Sequence, residues 1–444
     1  MNTDKKANQE VAGKVVTVAG LGRFGGGVAV ARWLVRQGAR VLVTDRDGAE
    51  KLDDSLKQLA GEPIEYRLGE HRTEDFTEAD LVVASPAIPP SSPYLMAAVA
   101  AGVPVTTEIR LFVERCASRV VGVTGTKGKS TTASMLARML ATKFNTHLGG
   151  NIGVSLLDRL TTIGPGDVVV LELSSFMLHY LGEARWSPSV ALVTMIGSDH
   201  LDWHGSQAAY VAAKTNIVRY QRPGDLAVLC GEDAGAMGLA EMCGRAGARV
   251  IEYRSGERIE LSVAGSHNQL NAAGAMATAG AMGIDAATAA RSVRDFEALP
   301  HRLRQVHVAA GVAYYDDSIA TVPASAMAAL ESFAAGKVIQ IVGGHDAKAE
   351  LGPMCELLAA RAKAVLCIGA TGKAIAAMVE KAKATAGGNG AMVHACGDLA
   401  SAVQVAKSIA VEGDVVLLSP GCKSYDQFVN FERRGNDFVE LVRR

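Results

Sequence analysis

Gly125-Thr126-Lys127-Gly128-Lys129-Ser130, within a chain of 444 residues, has the residue types and order that grip a triphosphate. The N–H groups of a glycine turn and of the helix start that follows offer fixed partial positive charge to a phosphate. Lys129 adds a mobile full charge for the outer phosphates, and the Ser130 hydroxyl falls where a Mg²⁺ ligand is needed. The loop is one residue tighter than the usual G-x-x-x-x-G-K-[ST] spacing.

Other residues that can do chemistry follow the loop. Glu172 ends the apolar run Val168-Val-Val-Leu, where a carboxylate is costly unless it is paired or holds a metal. Asp199-His200-Leu-Asp202-Trp-His204 opens from another apolar run; Mg²⁺ prefers Glu172 and Ser130, and an imidazole can complete a second divalent site. His204 and Asp202 also fit as plain loop polars. Lys214 lies on a helical pattern and reads as a solvated surface charge. Asn268 and Asn271, three apart on one helix, face the same way and can read a base edge, although N-capping explains Asn268 equally well.

Elements of the α/β class must position these groups. The loop lies between an apolar strand at 120–123 and an Ala/Leu/Met-rich helix over 130–140. Upstream, Gly20-Leu-Gly22-Arg-Phe-Gly25 follows a strand and precedes a helix, a second strand and Asp45, the order of a dinucleotide-binding unit. That physics requires a phosphate at the helix N-terminus and a hydroxyl or imide N–H facing Asp45; NAD and a UDP-sugar both satisfy it. Ser85-Pro86-Ala-Ile-Pro-Pro90 leaves a buried strand as a proline-rich loop, the place where parallel sheets bind ligands. Residues 107–112 form the closing helix of this first domain. Beyond Pro300, strands at 313–316, 337–342, 364–368, 392–394 and 415–418 alternate with helices as a further doubly wound sheet. Polar clusters at its strand ends, with Lys348 and Ser424 among them, can bind carboxylates.

The totals exclude several classes. A net charge of −1 without blocks of like charge argues against nucleic acid as a partner. Apolar runs of about 5–7 residues are too short for membrane insertion. The polar first ten residues lack a signal-peptide core, and seven cysteines without a C-x-x-C pair read as reduced thiols in the cytoplasm.

The loop, Glu172-Leu-Ser-Ser-Phe, Asp199-His200, His267-Asn-Gln-Leu-Asn271, Pro300-His-Arg302, Asp317-Ser-Ile-Ala-Thr321, Ser419-Pro and Ser424-Tyr-Asp-Gln-Phe occur in order, with Asn430-Phe-Glu-Arg-Arg-Gly-Asn-Asp437 closing the series. Together they resemble the Mur ligase family, ATP-dependent amide-forming enzymes of peptidoglycan synthesis. The resemblance implies three domains: a Rossmann-like domain binding a UDP-substrate over 1–115, a central P-loop ATPase domain with a mostly parallel sheet over 116–299, and a Rossmann-like domain binding the incoming amino acid over 300–444. It implies the use of ATP and two Mg²⁺ ions to join UDP-N-acetylmuramoyl-L-alanine to D-glutamate through an acyl phosphate, and nothing in the sequence demands more than a monomer. L-glutamate is the alternative, and an NAD-dependent oxidoreductase a remoter one.

By the same resemblance Lys129, Glu172, His200 and Lys214 are catalytic. Ser130 and Glu172 hold one Mg²⁺, and His200 with a carbamylated Lys214 serves the second. Gly125, Thr126, Lys127, Gly128, Thr131, Asn268, Asn271, Arg302 and Asp317 belong to the ATP site. Gly22, Arg23, Phe24, Gly25, Asp45, Arg46, Ser85, Pro86, Asn151 and Ser174 belong to the UDP-substrate site. Thr321, Lys348, Ser424 and Phe431 belong to the amino-acid site. The chain departs from the family pattern at Lys127, where Asn is usual, at Ile319, where Lys is frequent, at Met177 and at Asp47.

Overall fold

The computed structural model describes residues 11–22, 25–152, 155–263, 265–345, 349–385 and 390–444. It shows the three-domain α/β architecture, one sheet to each domain. The first sheet contains β1 (Val15–Ala19), β2 (Arg40–Asp45), β3 (Ile64–Leu68), β4 (Leu81–Ala84) and β5 (Val105–Thr106), all parallel in the order β3-β2-β1-β4-β5. Since β1 lies between β2 and β4, the winding reverses there, and the loops after β1 and β4 flank a crevice at the carboxyl edge. Helix Glu108–Val113 follows, its first turn capped by the Thr107 hydroxyl.

The second sheet contains β6 (Arg119–Thr124), β7 (Thr146–Gly150), β8 (Val168–Glu172), β9 (Val190–Val193), β10 (Leu226–Cys230) and β11 (Arg249–Tyr253). All are parallel in the order β11-β10-β9-β6-β8-β7. Here β6 lies between β8 and β9. The triphosphate loop, the end of β8 with Glu172 and the segment 194–200 therefore leave three adjacent strands at one edge. All five residues of β8 are buried. Each fully buried valine contributes about 1.5–3 kcal/mol, so the frame beneath the site is stiff.

The third sheet contains β12 (Arg304–Ala309), β13 (Val312–Asp316), β14 (Val338–Gly343), β15 (Ala364–Ile368), β16 (Met392–Gly397) and β17 (Val415–Leu418), in the order β12-β13-β17-β14-β15-β16. Leu417 packs into one apolar layer and Val416 and Leu418 into the other, as period-2 alternation requires. Sequence reading missed β12, which runs antiparallel to β13 with an irregularity between Gln305 and His307. Its turn is Ala310-Gly311, both at positive φ (48° and 73°), a hairpin geometry that lacks the usual Asn-Gly signal.

The chain condenses into two compact units. One comprises residues 1–259 with 270–293 and carries the first two sheets; the other comprises 260–269 with 294–444 and carries the third. No helix among the described residues is long and apolar enough to cross a membrane.

Candidate active site

The triphosphate loop owes its shape to two glycines. Gly125 adopts φ 157°, and a Cβ there would stand 1.8 Å from Thr194 Oγ1. Gly128 is left-handed at φ 82°, and a Cβ there would lie 2.3 Å from Asn271 Oδ1. Helix Lys129–Leu140 starts directly behind it with no side-chain cap, so its first N–H groups are left for a ligand. Ser130 is buried in the first helical turn, and Thr131 beside it is half-buried.

Neighbouring groups fasten the loop from three sides. The Thr194 hydroxyl donates to the Lys127 carbonyl at 2.6 Å, and the Thr126 N–H to Met195 O at 2.7 Å. The Tyr210 hydroxyl meets Thr126 Oγ1 at 2.8 Å, and that oxygen accepts the Gly197 N–H at 2.9 Å. Lys129 Nζ folds back onto Thr126 O at 3.1 Å. Thr194 and Tyr210 carried no sequence signal, because a hydroxyl at a strand end is recognised only once the loop beside it is known.

Lys214 corrects the surface reading. It is 1% exposed and donates to Gly125 O at 2.8 Å. Helix Gln207–Arg219 is buried on most sides, so a pattern that resembled a solvated face is an interior one. Burial, then the Lys129 charge, pushes the Lys214 ammonium well below its ordinary value, against the pull of Asp199 and Glu172. That shift favours the uncharged amine, the form that reacts with carbon dioxide to give a carbamate.

Glu172 is 1% exposed. Its Oε1 accepts from Asn151 Nδ2 at 2.8 Å, while Oε2 is buried without a hydrogen-bond partner. An orphaned carboxylate oxygen beside a phosphate loop fits a divalent cation. His200 is left-handed at φ 52° and packs against Phe176, with ring centroids 4.7 Å apart. Its imidazole is pushed down by burial, with Lys129 and Lys214 adding to this and Asp199 and Asp202 opposing, so it stays neutral and able to bind a metal. These couplings place Lys129, Glu172, Asp199, His200 and Lys214 in one electrostatic neighbourhood. Among the described residues no three His, Cys, Asp or Glu side chains form a metal cluster. A carbamate on Lys214 would supply further oxygens to the second Mg²⁺ site expected from the resemblance.

At the first sheet, Asp45 holds the glycine turn itself: Oδ2 accepts the Gly22 N–H at 3.0 Å and Oδ1 the Asp47 N–H at 2.9 Å. Gly25 caps helix Gly26–Arg36 in the left-handed conformation. A Cβ on Gly20 would lie 2.9 Å from Ser85 Cβ, so the turn and the loop bearing Ser85 and Pro86 sit against each other. Arg46 lies over the Tyr94 ring at 5.8 Å, and Tyr94 stacks on Phe76 and meets His71 edge-on. Arg23 and Phe24 lie outside the described residues. Asn151 and Ser174, expected at the acceptor, are found respectively on Glu172 and capping helix Ser175–Glu183.

In the unit that carries the third sheet, Asp317 Oδ1 accepts the Leu303 N–H at 3.0 Å and Oδ2 the Ser419 hydroxyl at 2.7 Å. Burial pushes this carboxyl up to about 7. Arg302, half-buried, lies between His301 and Leu303, both at positive φ. Asn268, in this unit, and Asn271, in the unit of the first two sheets, are buried in the first turns of helix Ser266–Ala281. Thr321 is half-buried, and Phe431 starts helix Phe431–Arg443. Ser424 is only 2% exposed, so its hydroxyl is not on an open rim as the strand-end pattern suggested. Lys348 lies outside the described residues. Arg434, unforeseen, is 1% exposed and donates to Ser318 Oγ and O and to Cys422 O, tying the strand-end loops together.

A parallel-sheet nucleotide site of this kind, joined to two further Rossmann-like sheets, defines a class of ATP-dependent ligases. Three family models match the chain in order: the MurD-like N-terminal domain over 14–107, the Mur ligase middle domain over 123–258 and the Mur ligase glutamate ligase domain over 301–422. The chain belongs to the Mur ligase family. It is 40% identical to the UDP-N-acetylmuramoylalanine–D-glutamate ligase of Roseiflexus sp. (strain RS-1), covering 98% of this chain and 99% of the relative. Identity to the enzyme of that name from Anaeromyxobacter dehalogenans (strain 2CP-C) is 38%, with the same coverage. In fold it is similar to UDP-N-acetylmuramate-alanine ligase MurC from Thermotoga maritima (TM-score 0.62, 22% identity, covering 97% and 99% of the two chains). It is also similar to MurF ligase from the same organism in complex with ADP (TM-score 0.58, 17% identity, 98% and 96%).

Proposed function

We propose that this chain catalyses the ATP-dependent joining of D-glutamate to UDP-N-acetylmuramoyl-L-alanine, as a monomer in the cytoplasm. Identity of 34–40% to curated ligases of that name, over nearly the whole chain, supports the substrates. The single observation that carries the chemistry is the set of groups around one loop: Lys129 on it, the orphaned Glu172 oxygen beside it, and beneath it the buried Lys214, whose ammonium form burial disfavours.

An oxygen of the acceptor's terminal carboxylate attacks the γ-phosphorus, the bond to the β-phosphate oxygen breaks, and ADP leaves. The amine of glutamate then attacks the carbonyl carbon of the acyl phosphate. The tetrahedral adduct collapses by expelling inorganic phosphate, and the nitrogen loses a proton. Lys129 and the N–H groups of residues 128–130 neutralise charge on the phosphates through both displacements. Bound Mg²⁺, held by Ser130 and Glu172 with His200 and a carbamylated Lys214 nearby, would add divalent charge at the transferring phosphoryl group. Asn151 orients Glu172 for that role. The turn at residues 20–25 and the loop at 85–90 hold the UDP end of the acceptor, while Arg302, Asp317, Thr321, Ser424 and Phe431 belong to the domain that brings the amino acid.

The test is phosphate release with UDP-N-acetylmuramoyl-L-alanine and each glutamate enantiomer. Release with D-glutamate only is expected; release with L-glutamate only would overturn the substrate, and release with neither would overturn the ligase.

A further inference from the structure

Three prolines in the stretch 85–90 remove N–H groups that would otherwise bond within the loop. Ser85 O still accepts the Ile88 N–H within the loop, but the carbonyls of Ala87 and Ile88 take donors from elsewhere. Two come from one wall of the second sheet's domain: Trp203 Nε1 donates to Ala87 O at 3.1 Å, and the Tyr180 hydroxyl to Ile88 O at 2.8 Å. The same loop presses on the glycine turn, since a Cβ on Gly20 would come within 2.9 Å of Ser85 and 3.5 Å of Ile88.

The wall is continuous with the triphosphate loop. Trp203 contacts Phe176 and His204 at centroid distances of 4.8 and 4.5 Å, and Phe176 contacts His200 at 4.7 Å. His204 meets the Ser175 hydroxyl at 2.9 Å and stands edge-on to Tyr210 at 5.4 Å. Tyr210 in turn bonds Thr126 of the triphosphate loop at 2.8 Å. Burial, then the neighbouring His179, pushes the His204 imidazole down to about 4, so His204 itself stays neutral near pH 7.

We infer that Trp203 and Tyr180 are positioning residues, which set the proline-rich loop and hence the acceptor at a fixed reach from the triphosphate loop. The inference rests on the ligase reading above and adds to it a route by which acceptor placement is measured from the nucleotide side. A contact that served packing alone would change stability and both substrates together. A positioning contact changes the acceptor selectively.

The experiment compares steady-state kinetics of the full chain with Trp203→Phe, which keeps an aromatic ring and loses the N–H, and Tyr180→Phe, which loses only the hydroxyl. Each is expected to raise the acceptor KM about 3–10-fold, the scale of one lost hydrogen bond, with the ATP KM within about twofold of the parent. Direct titration of UDP-N-acetylmuramoyl-L-alanine without ATP should show the same weakening independently of turnover. An unchanged acceptor KM in both variants, or equal rises for acceptor and ATP, overturns the inference while leaving the ligase standing. A parent protein with no acceptor-dependent phosphate release brings down the ligase reading, and the inference with it.

Discussion

Gly25 and Gly128 each precede a helix in the left-handed conformation, at φ 83°, ψ −15° and φ 82°, ψ −14°, and neither helix has a side-chain cap. Each turn lies at the carboxyl edge of a parallel sheet beside its reversal point. The two differ in what fastens them. An acid, Asp45, grips the first through the Gly22 N–H, whereas a hydroxyl, Thr194, and two lysines, Lys129 and Lys214, grip the second through carbonyls. An acid beside a turn suits a ligand rich in hydroxyl and N–H donors; the charged Lys129 suits a polyanion. In the function proposed above, one backbone device serves the two ends of the ligase, and the fastening side chains distinguish them.

The comparison breaks most sharply at Lys129. Lys129→Ala should reduce acceptor-dependent phosphate release by roughly 10³-fold or more, since a charge that acts on the transferring phosphoryl group is lost. A near-normal rate would remove the lysine from the distinction. Lys214→Ala should be comparably inactive, yet partly restored by added short carboxylates, which replace a carbamate; no recovery at any carboxylate concentration would count against the carbamate.

Glycine replacement gives the next test. Gly125→Ala drives a Cβ to 1.8 Å from Thr194 Oγ1 and should abolish ATP binding in a nucleotide titration. Gly22→Ala meets nothing within 4 Å at φ 62°, so it carries only the left-handed backbone cost of about 1–2 kcal/mol and should leave ATP affinity intact. Equal losses of ATP affinity would show that the turns are not independent.

The smallest effect concerns pH. Asp317 is raised from 3.8 to about 7, chiefly by burial, so between those values the folded state holds a proton that the unfolded chain has lost. Its contribution to stability therefore falls as pH rises through that window and is flat above it. Denaturant midpoints across this range should show the decline, and Asp317→Asn should flatten it.

Much of the frame was legible in the sequence because fully buried parallel strands are continuous apolar runs; β15, β17 and the end of β8 at Glu172 lie where those runs predict. The triphosphate loop was legible because its backbone requirement leaves glycines at fixed spacing. Lys214 was not, since helical periodicity cannot tell an inward lysine from an outward one when alanines surround it. Nor were Thr194, Trp203 and Tyr180, whose work depends on partners 67, 116 and 92 residues away. The burial of Ser424 and of Arg434, which holds the nearby Cys422 carbonyl, was equally invisible in the Pro-Gly-Cys-Lys-Ser stretch.

The closeness of Gly125 to Thr194 has a consequence for how such a chain changes over generations. With 1.8 Å between a would-be Cβ and the hydroxyl, neither position can drift alone: a side chain at 125 demands a smaller residue at 194, and losing the hydroxyl at 194 releases the carbonyl of Lys127. The two sites form one heritable unit although 69 positions separate them.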